Sequence, residues 1–430
     1  MRIAFYEDAH VKDLAPLTLT RPVYELLCGR FSVRERWQDH LANESQPPEW
    51  AGFVRPELAA VCRERNPEVI VNDYVGLQYD AALLINGRWI GSPHEALQLT
   101  SNEVGMIDGH VVALKIEPEE AILLTEDNFS DAIADIARTR QTRELTGCLV
   151  RRPWDLVSHN ADQLNADFAC IDFDNGRGTL GQQVAIMGPR EMVFVHRTAE
   201  VHPFVVLDAR SGPISIDADA IVQPFTRIEG PCHIGRGTQI FRANIKEGSS
   251  IGPVCRVGGE IEASILHSYV NKYHDGFLGH SYVCPWVNLG ALTSNSDLKN
   301  DYSNVNVPMP DGLVDTEDYK VGCFIGDHTK AAIGSLFNTG SCIGVMCMVL
   351  PGGELLPKHV PSFARIWHGE LSEGWEINRS LKTARIAMQR RGRELTAAEE
   401  QLLRQIERQT FAERERAFQR AESKRTGIPT

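Results

Sequence analysis

The chain has no apolar run of 18 residues, which excludes a membrane-spanning helix. Its opening residues, Met1-Arg2-Ile3-Ala4-Phe5-Tyr6-Glu7-Asp8, contain no signal-peptide hydrophobic segment. A cytoplasmic protein with no membrane partner is therefore expected. None of the ten cysteines sits in a CxxC pair, and 430 residues leave room for two or three domains and a sizeable core without staples. Buried or free thiols are expected instead of a disulfide framework or a zinc cage.

Positive charge is also scarce outside one segment. The net charge is −13, yet residues 378–425 carry thirteen Lys and Arg against seven Glu. The body is thus acidic, which argues against nucleic acid as a partner. The basic segment reads as helix: Thr396 and Glu399 have capping-box spacing, and Leu403, Ile406, Phe411 and Phe418 form a narrow apolar stripe. Such a helix packs against a subunit or faces solvent.

What the chain does have, between about Val195 and Phe363, is a six-residue rhythm. Ile228, Ile234 and Ile240, then Ile251 and Val257, then Ile325, Ile343 and Val349 recur at multiples of six, often followed by Gly. A step of six fits neither a helix nor a hairpin ladder, but it fits a short strand plus a corner. Three steps close one coil of a left-handed parallel β-helix. Its aliphatic residues stack on counterparts roughly 18 residues later, about 4.8 Å along the axis. Gly, Asn and Asp are expected at the corners, where φ is often positive.

Before the repeat, short apolar strands such as Arg2–Tyr6, Val69–Asn72 and Ala82–Ile85 alternate with helical stretches such as Val33–Leu41 and Asp131–Leu145. That alternation implies an α/β layer with a mainly parallel sheet. The expected domains are residues 1–190, the α/β unit; 191–368, the β-helix; and 369–430, a helical tail. The hexads stop between Asn295 and Val321, and a loop of that length extruded from a solenoid is expected to be ordered and to cover a site. A second departure spans Asn271–His280.

Three stretches, His274-Asp275-Gly276-Phe277-Leu278-Gly279-His280, Val287-Asn288-Leu289-Gly290-Ala291 and Asn295-Ser296-Asp297, resemble the acetyltransferase half of the bifunctional N-acetylglucosamine-1-phosphate uridyltransferase/glucosamine-1-phosphate acetyltransferase family. The run Asn288–Tyr302, with Gly326–Lys330 and Phe337–Gly340, resembles a divergent branch described as sugar nucleotidyltransferases. At the other end, Leu14-Ala15-Pro16-Leu17-Thr18-Leu19-Thr20-Arg21-Pro22 is similar to the L-x-P-L-T-x-T-x-P-K run of sugar-phosphate nucleotidyltransferases. The resemblance covers most of residues 1–365.

It implies acetyl-coenzyme A-dependent N-acetylation of an amino sugar or its phosphate. An amine must then lose a proton, a thioester carbonyl must meet donors, and both substrates must be aligned. On this resemblance His274 is the catalytic base and Glu260 orients its imidazole. Asn288 and Asn295 hold the sugar or the acetyl acceptor, and Lys299 lies near a phosphate-binding position. The Ala291 backbone N–H meets the thioester oxygen, and Lys330 reaches coenzyme A phosphates. A homotrimer with acetyl-coenzyme A between adjacent β-helices is implied.

For the N-terminal half the resemblance implies nucleotidyl transfer from a nucleoside triphosphate such as UTP, with Mg²⁺. Here the chain departs from the pattern. Where a Gly-rich phosphate loop belongs stands Glu7-Asp8-Ala9-His10-Val11-Lys12-Asp13, Val23 replaces a Lys, and Asn86-Gly87 stands where a metal-binding Asp is usual. Three acids there repel a triphosphate unless a metal intervenes. Arg21, then Arg30, Arg34 and Arg36, are the substitute phosphate contacts, their alternative being salt bridges. Glu262 and Phe277 replace a phosphate-binding Lys and a Tyr, which disfavours a bare sugar 1-phosphate as acceptor. Two other classes stay open: nucleotidyl transfer alone, and a non-catalytic scaffold. A zinc hydratase built on His267, His274 and His280 is disfavoured, because spacings of seven and six send the rings to different faces. No metal ligands are assigned.

Overall fold

The segment Arg-Ile-Ala-Phe-Tyr is buried at every residue and forms a central strand, β1 (Arg2–Tyr6). The computed structural model describes residues 2–173 and 176–426. These fall into two compact units. The first comprises the chain up to Leu14, Thr20–Leu26 and Phe31–Arg152, and the second Ala15–Leu19, Leu27–Arg30 and the chain from Pro153 onward. The helices that follow Arg152 fall in the second unit, with the solenoid.

In the first unit β1 is followed by α1 (Val33–His40), β2 (Glu49–Phe53), β3 (Val69–Val71), β4 (Ala82–Asn86), β5 (Glu103–Ile107), β6 (His110–Ile116), α2 (Phe129–Arg138) and β7 (Gln141–Glu144). The sheet order is β7-β5-β6-β4-β1-β2-β3. Strands β4, β1, β2 and β3 run parallel, and β6 alone is antiparallel to its neighbours. Helix α1 begins with a capping box in which Ser32 and Glu35 bond each other's backbone. The helix expected over Asp131–Leu145 ends at Arg138, and the polar run after it becomes the edge strand β7.

The second unit is a parallel β-helix. One inner column stacks Val222, Ile240, Val257, Lys272, Leu289, Ala331, Val349 and Ile366 on successive coils. Another stacks Ile216, Ile234, Ile251, Leu266, Val283, Ile325, Ile343 and Val360. The hexad residues Ile228, Ile234, Ile240, Ile251, Val257, Ile325 and Ile343 are fully buried, and each such side chain contributes about 1.5–3 kcal/mol. The fold class implied by the repeat is the one observed.

Gly237, Gly259 and Asp219 take the positive φ expected of corners, but other corners carry large side chains. Tyr269, Trp286, His328, Met346 and Phe363 all have φ between +54° and +63°, a conformation costing a non-Gly residue roughly 1–2 kcal/mol. Stacking offsets part of this: the Tyr269 and Trp286 rings lie 4.1 Å apart at 15°.

The interruption after Asn295 is an ordered hairpin, β8 (Asn306–Met309) with β9 (Gly312–Asp315). Its Val305 and Val307 are buried, and Lys358 donates to the Asn306 carbonyl. Helices α3 (Ile377–Gln389), α4 (Ala397–Gln409) and α5 (Phe411–Thr426) complete the unit. The Thr396/Glu399 capping box forms. Phe411, expected on the apolar stripe, is exposed. The tail docks on the last coils through His359–Glu413 at 2.8 Å and through Arg414 to the Ser362 carbonyl. Residues 427–430 of the expected tail lie outside the described residues.

Candidate functional site

At one corner of three successive β-helix coils stand Glu262, His280 and Asp297, with one ligating atom of each within 4.8 Å of the others. His280 Nδ1 lies 2.8 Å from Asp297 Oδ2. An ionised carboxylate only accepts, so Nδ1 carries the hydrogen, and Nε2 of the neutral ring keeps the lone pair. The His280 and Asp297 side chains remain 18% and 14% exposed, so the ring is held yet reachable.

Glu262 is clamped by two ammonium groups, Lys246 and Lys320, each at 2.9 Å. Burial alone would raise its pKa. Hydrogen bonds and charge from the two lysines overcome that and bring it down to about 2. With a lysine on each oxygen, the charge of Glu262 is already neutralised, which disfavours a divalent cation at this column.

Both ends of the hairpin insertion feed this corner. Leu298 bridges Lys320, and the Val321 N–H donates to the Asp297 carbonyl. The neck of the loop thereby delivers Asp297 to His280 and Lys320 to Glu262. Gly279 makes room: a Cβ there would meet Asp297 Oδ2 at 2.6 Å and the Phe277 ring at 2.4 Å. Asn295, buried, accepts from the Gly279 N–H at 2.8 Å and donates to its carbonyl at 2.9 Å. Its amide therefore positions the strand leading to His280, and both of its polar atoms are engaged with backbone.

The other residues expected in the site are dispersed. His274 is exposed; its ring meets Tyr273 edge-on at 4.8 Å and makes no hydrogen bond or ion pair among the described residues. Glu260, expected to orient it, pairs with Lys246 at 3.3 Å. Asn288 accepts from Asn271 at 2.9 Å and is in register with Lys330 on one sheet, away from the corner carrying His280. The Lys330 ammonium donates to the Trp286 carbonyl at 2.5 Å, and burial lowers its pKa to about 7. Ser380, Thr383 and Ala384 of α3 close a narrow crevice over Lys330, His328, Met346 and Met348. The tail thus covers the side chain expected to meet coenzyme A. Ala291 lies at a corner where its carbonyl accepts from Gly334. Lys299 staples its own loop, donating to Ser303 Oγ and the Asn304 carbonyl.

In the first unit two of the acids after β1, Glu7 and Asp8, are paired with arginines. Glu7 accepts from the Val23 and Arg55 N–H groups and from Arg55 Nε. Asp8 is gripped by Arg88 and Asn86, and Asp13 lies 3.5 Å from His10. The expected repulsion of a triphosphate is therefore reduced at Glu7 and Asp8, each paired with an arginine. Arg21 is buried, 4% exposed. Arg34 pairs with Glu25, Arg30 with Asp217, and Arg36 is buried.

Residues 3–175 match the family model described as Sugar nucleotidyl transferase. A Sulfurisphaera tokodaii bifunctional sugar-1-phosphate nucleotidylyltransferase/acetyltransferase is 28% identical over 206 residues, 47% of this chain and 44% of that protein. An Escherichia coli protein described as an uncharacterized acetyltransferase is 27% identical over 136 residues, 32% of this chain and 45% of that protein. The chain spans less than half the length of the curated relatives it matches. Among solved structures, a UDP-N-acetylglucosamine acyltransferase aligns at TM-score 0.21 and 16% identity, covering 45% of this chain and 73% of that one. Each of these proteins is described as a transferase. No helix among the described residues is long and apolar enough to cross a membrane.

The His280–Asp297 pair escaped the sequence reading, although a signal for it was present. Glu262, His280 and Asp297 recur at the coil spacing used to find the aliphatic columns. Applying that spacing to polar residues brings them together.

Proposed function

We propose that the β-helix transfers an acetyl group from acetyl-coenzyme A to the amine of a sugar or sugar derivative, with His280 as base and Asp297 orienting it. The observation that carries this reading is the 2.8 Å Nδ1–Oδ2 contact, which fixes the tautomer and leaves Nε2 to accept a proton. The amine nitrogen attacks the thioester carbonyl as Nε2 takes the ammonium proton. The carbon–sulfur bond then breaks, and the coenzyme A thiolate leaves and regains a proton. The acetyltransferase relatives and the sugar-1-phosphate named in one of them support the substrate class.

Lys246 and Lys320 are both engaged by Glu262, and Glu260 adds a second acid beside Lys246. The corner is therefore close to neutral or acidic. It favours an approaching ammonium over a bare phosphate, in line with the loss of the phosphate-binding Lys at position 262. His274 stays a candidate on resemblance alone, as do Asn288, Ala291, Lys299 and Lys330 for substrate and cofactor contacts. The homotrimer and nucleotidyl transfer from UTP in the first unit rest on the same resemblance.

The test is thiol release from acetyl-coenzyme A against a panel of amino sugars, their 1-phosphates and their nucleotide derivatives. Release that is abolished in His280→Gln and retained in His274→Ala is the expected result. Loss in His274→Ala with retention in His280→Gln would move the base, and no release with any amine would leave the scaffold reading standing.

A further inference from the structure

In the first unit Tyr6 and Asn86 are in register on β1 and β4. The residues after them, Glu7-Asp8 and Gly87-Arg88, emerge side by side at the carboxyl edge of a parallel sheet, where folds of this class place their ligands. Transfer of a nucleotidyl group from a triphosphate ordinarily draws on a divalent cation held there by carboxylate oxygens. We infer that the Arg88 guanidinium is the resident cation of this crevice and that Asp8 holds no divalent metal.

The donor set carries the inference. Arg88 Nε donates to Asp8 Oδ1 at 2.8 Å and Nη2 to Oδ2 at 2.5 Å, the bidentate pairing of a guanidinium with a carboxylate. The His10 N–H adds a second bond to Oδ1 at 3.1 Å, and Asn86 Nδ2 a second to Oδ2 at 2.9 Å. Asn86 thus presents its amide hydrogens to Asp8, while its own oxygen accepts the Arg88 N–H at 3.0 Å. The third guanidinium nitrogen, Nη1, donates to the Val150 carbonyl, and Arg88 is 1% exposed. Burial alone would raise the Asp8 pKa, and Arg88 outweighs it to hold the carboxyl below its usual range.

A magnesium ion demands a near-octahedral set of oxygens at about 2.0–2.1 Å. At Asp8 it would have to displace four hydrogen bonds and sit against a buried guanidinium. The neighbouring acid offers no alternative, since Glu7 is already bonded by Arg55 and two backbone N–H groups. A phosphate-bearing ligand of this unit is therefore not bridged to Asp8 through a metal, and nucleotidyl transfer that relies on such a bridge does not occur here. The inference is independent of acetyl transfer by the β-helix.

Manganese titration of the full chain, followed by the electron paramagnetic resonance signal of the free ion, tests it with and without UTP. The wild type and Asp8→Asn should titrate alike. Wild-type binding at least tenfold tighter than that of Asp8→Asn would overturn the proposal. Arg88→Met, which frees Asp8, should gain manganese binding that Asp8→Asn then removes. A folded Arg88→Met that gains none would show that the guanidinium is not what excludes the ion. If that variant does not fold, the wild-type and Asp8→Asn comparison still decides.

Discussion

His280 and Asp297 stand on successive coils, seventeen positions apart in sequence, with ring nitrogen and carboxylate oxygen 2.8 Å apart. An imidazole fixed by a carboxylate and still partly exposed is the part of an acyl-transfer site that a solenoid corner can supply without a metal.

If that ring is the base, His280→Gln lowers the rate of acetyl transfer by about 10²–10⁴-fold. Asp297→Asn should lower it less and shift the pH–rate profile, because the amide still reaches the ring but no longer supports the imidazolium. His274→Ala, at an exposed ring without an acid partner, should leave the rate within about twofold of wild type. The check is kcat against pH for the three variants with one accepted amine.

The fold was largely legible, because aliphatic residues at the coil spacing have one physical reason to recur. Ile234, Ile251 and Ile343 stack exactly as a solenoid core requires, and Thr396 with Glu399 caps a helix as its spacing implied. The site was less legible. Asp8 meets Arg88 across 80 positions, a pairing that only strand order creates. Asn295 reads as a sugar-binding amide in a motif, yet it closes a hydrogen-bond pair with Gly279. Lys330 reads as an open cation, and only the packing of α3 shows it covered. Polar residues carry several meanings each, whereas a buried isoleucine carries one.

Asn295→Ala removes the two partners of Gly279 where water does not replace them. Each buried backbone group left unmade costs about 1–3 kcal/mol. The variant should therefore lower the thermal unfolding temperature of the β-helix, and activity should fall with it because the strand before His280 loosens. Asn295→Asp, which keeps the acceptor for the Gly279 N–H but turns a buried carboxylate oxygen on the Gly279 and Ser296 carbonyls, should be destabilised at neutral pH at least as much as Asn295→Ala. Unchanged stability in Asn295→Ala would remove the positioning role.

Glu262 gives the acid limb of stability a specific origin. Its folded pKa, about 2, lies below the unfolded value of 4.5. The native state therefore binds fewer protons than the unfolded chain between those values. The stabilisation is complete above about pH 4.5 and is lost as pH falls towards 2; at its full extent it is about 2–3 kcal/mol, less for partial solvent screening. Glu262→Gln should flatten that portion of the curve when urea midpoints are measured from pH 6 to pH 2. An identical curve in the variant would exclude the Lys246–Glu262–Lys320 clamp as a contributor.

Lys272 has the opposite sign. It occupies a place in the inner column between Val257 and Leu289, is 2% exposed, and its ammonium donates to the carbonyls of Gly258 and His274. Burial lowers its pKa to about 8, against a smaller opposing pull from Asp275. Between about pH 8 and 10.5 the unfolded chain holds a proton that the native state lacks, so stability rises with pH across that window and is flat below it. The rise is at most about 3 kcal/mol. Lys272→Met, of similar volume and without a charge to bury, leaves the Gly258 and His274 carbonyls without their donor and should show no rise at alkaline pH. The His274 corner, freed from the lysine, should then exchange its backbone amides faster. Urea midpoints from pH 7 to 10.5, with hydrogen exchange across residues 272–277, decide the matter: a variant that keeps the alkaline rise would place its origin elsewhere.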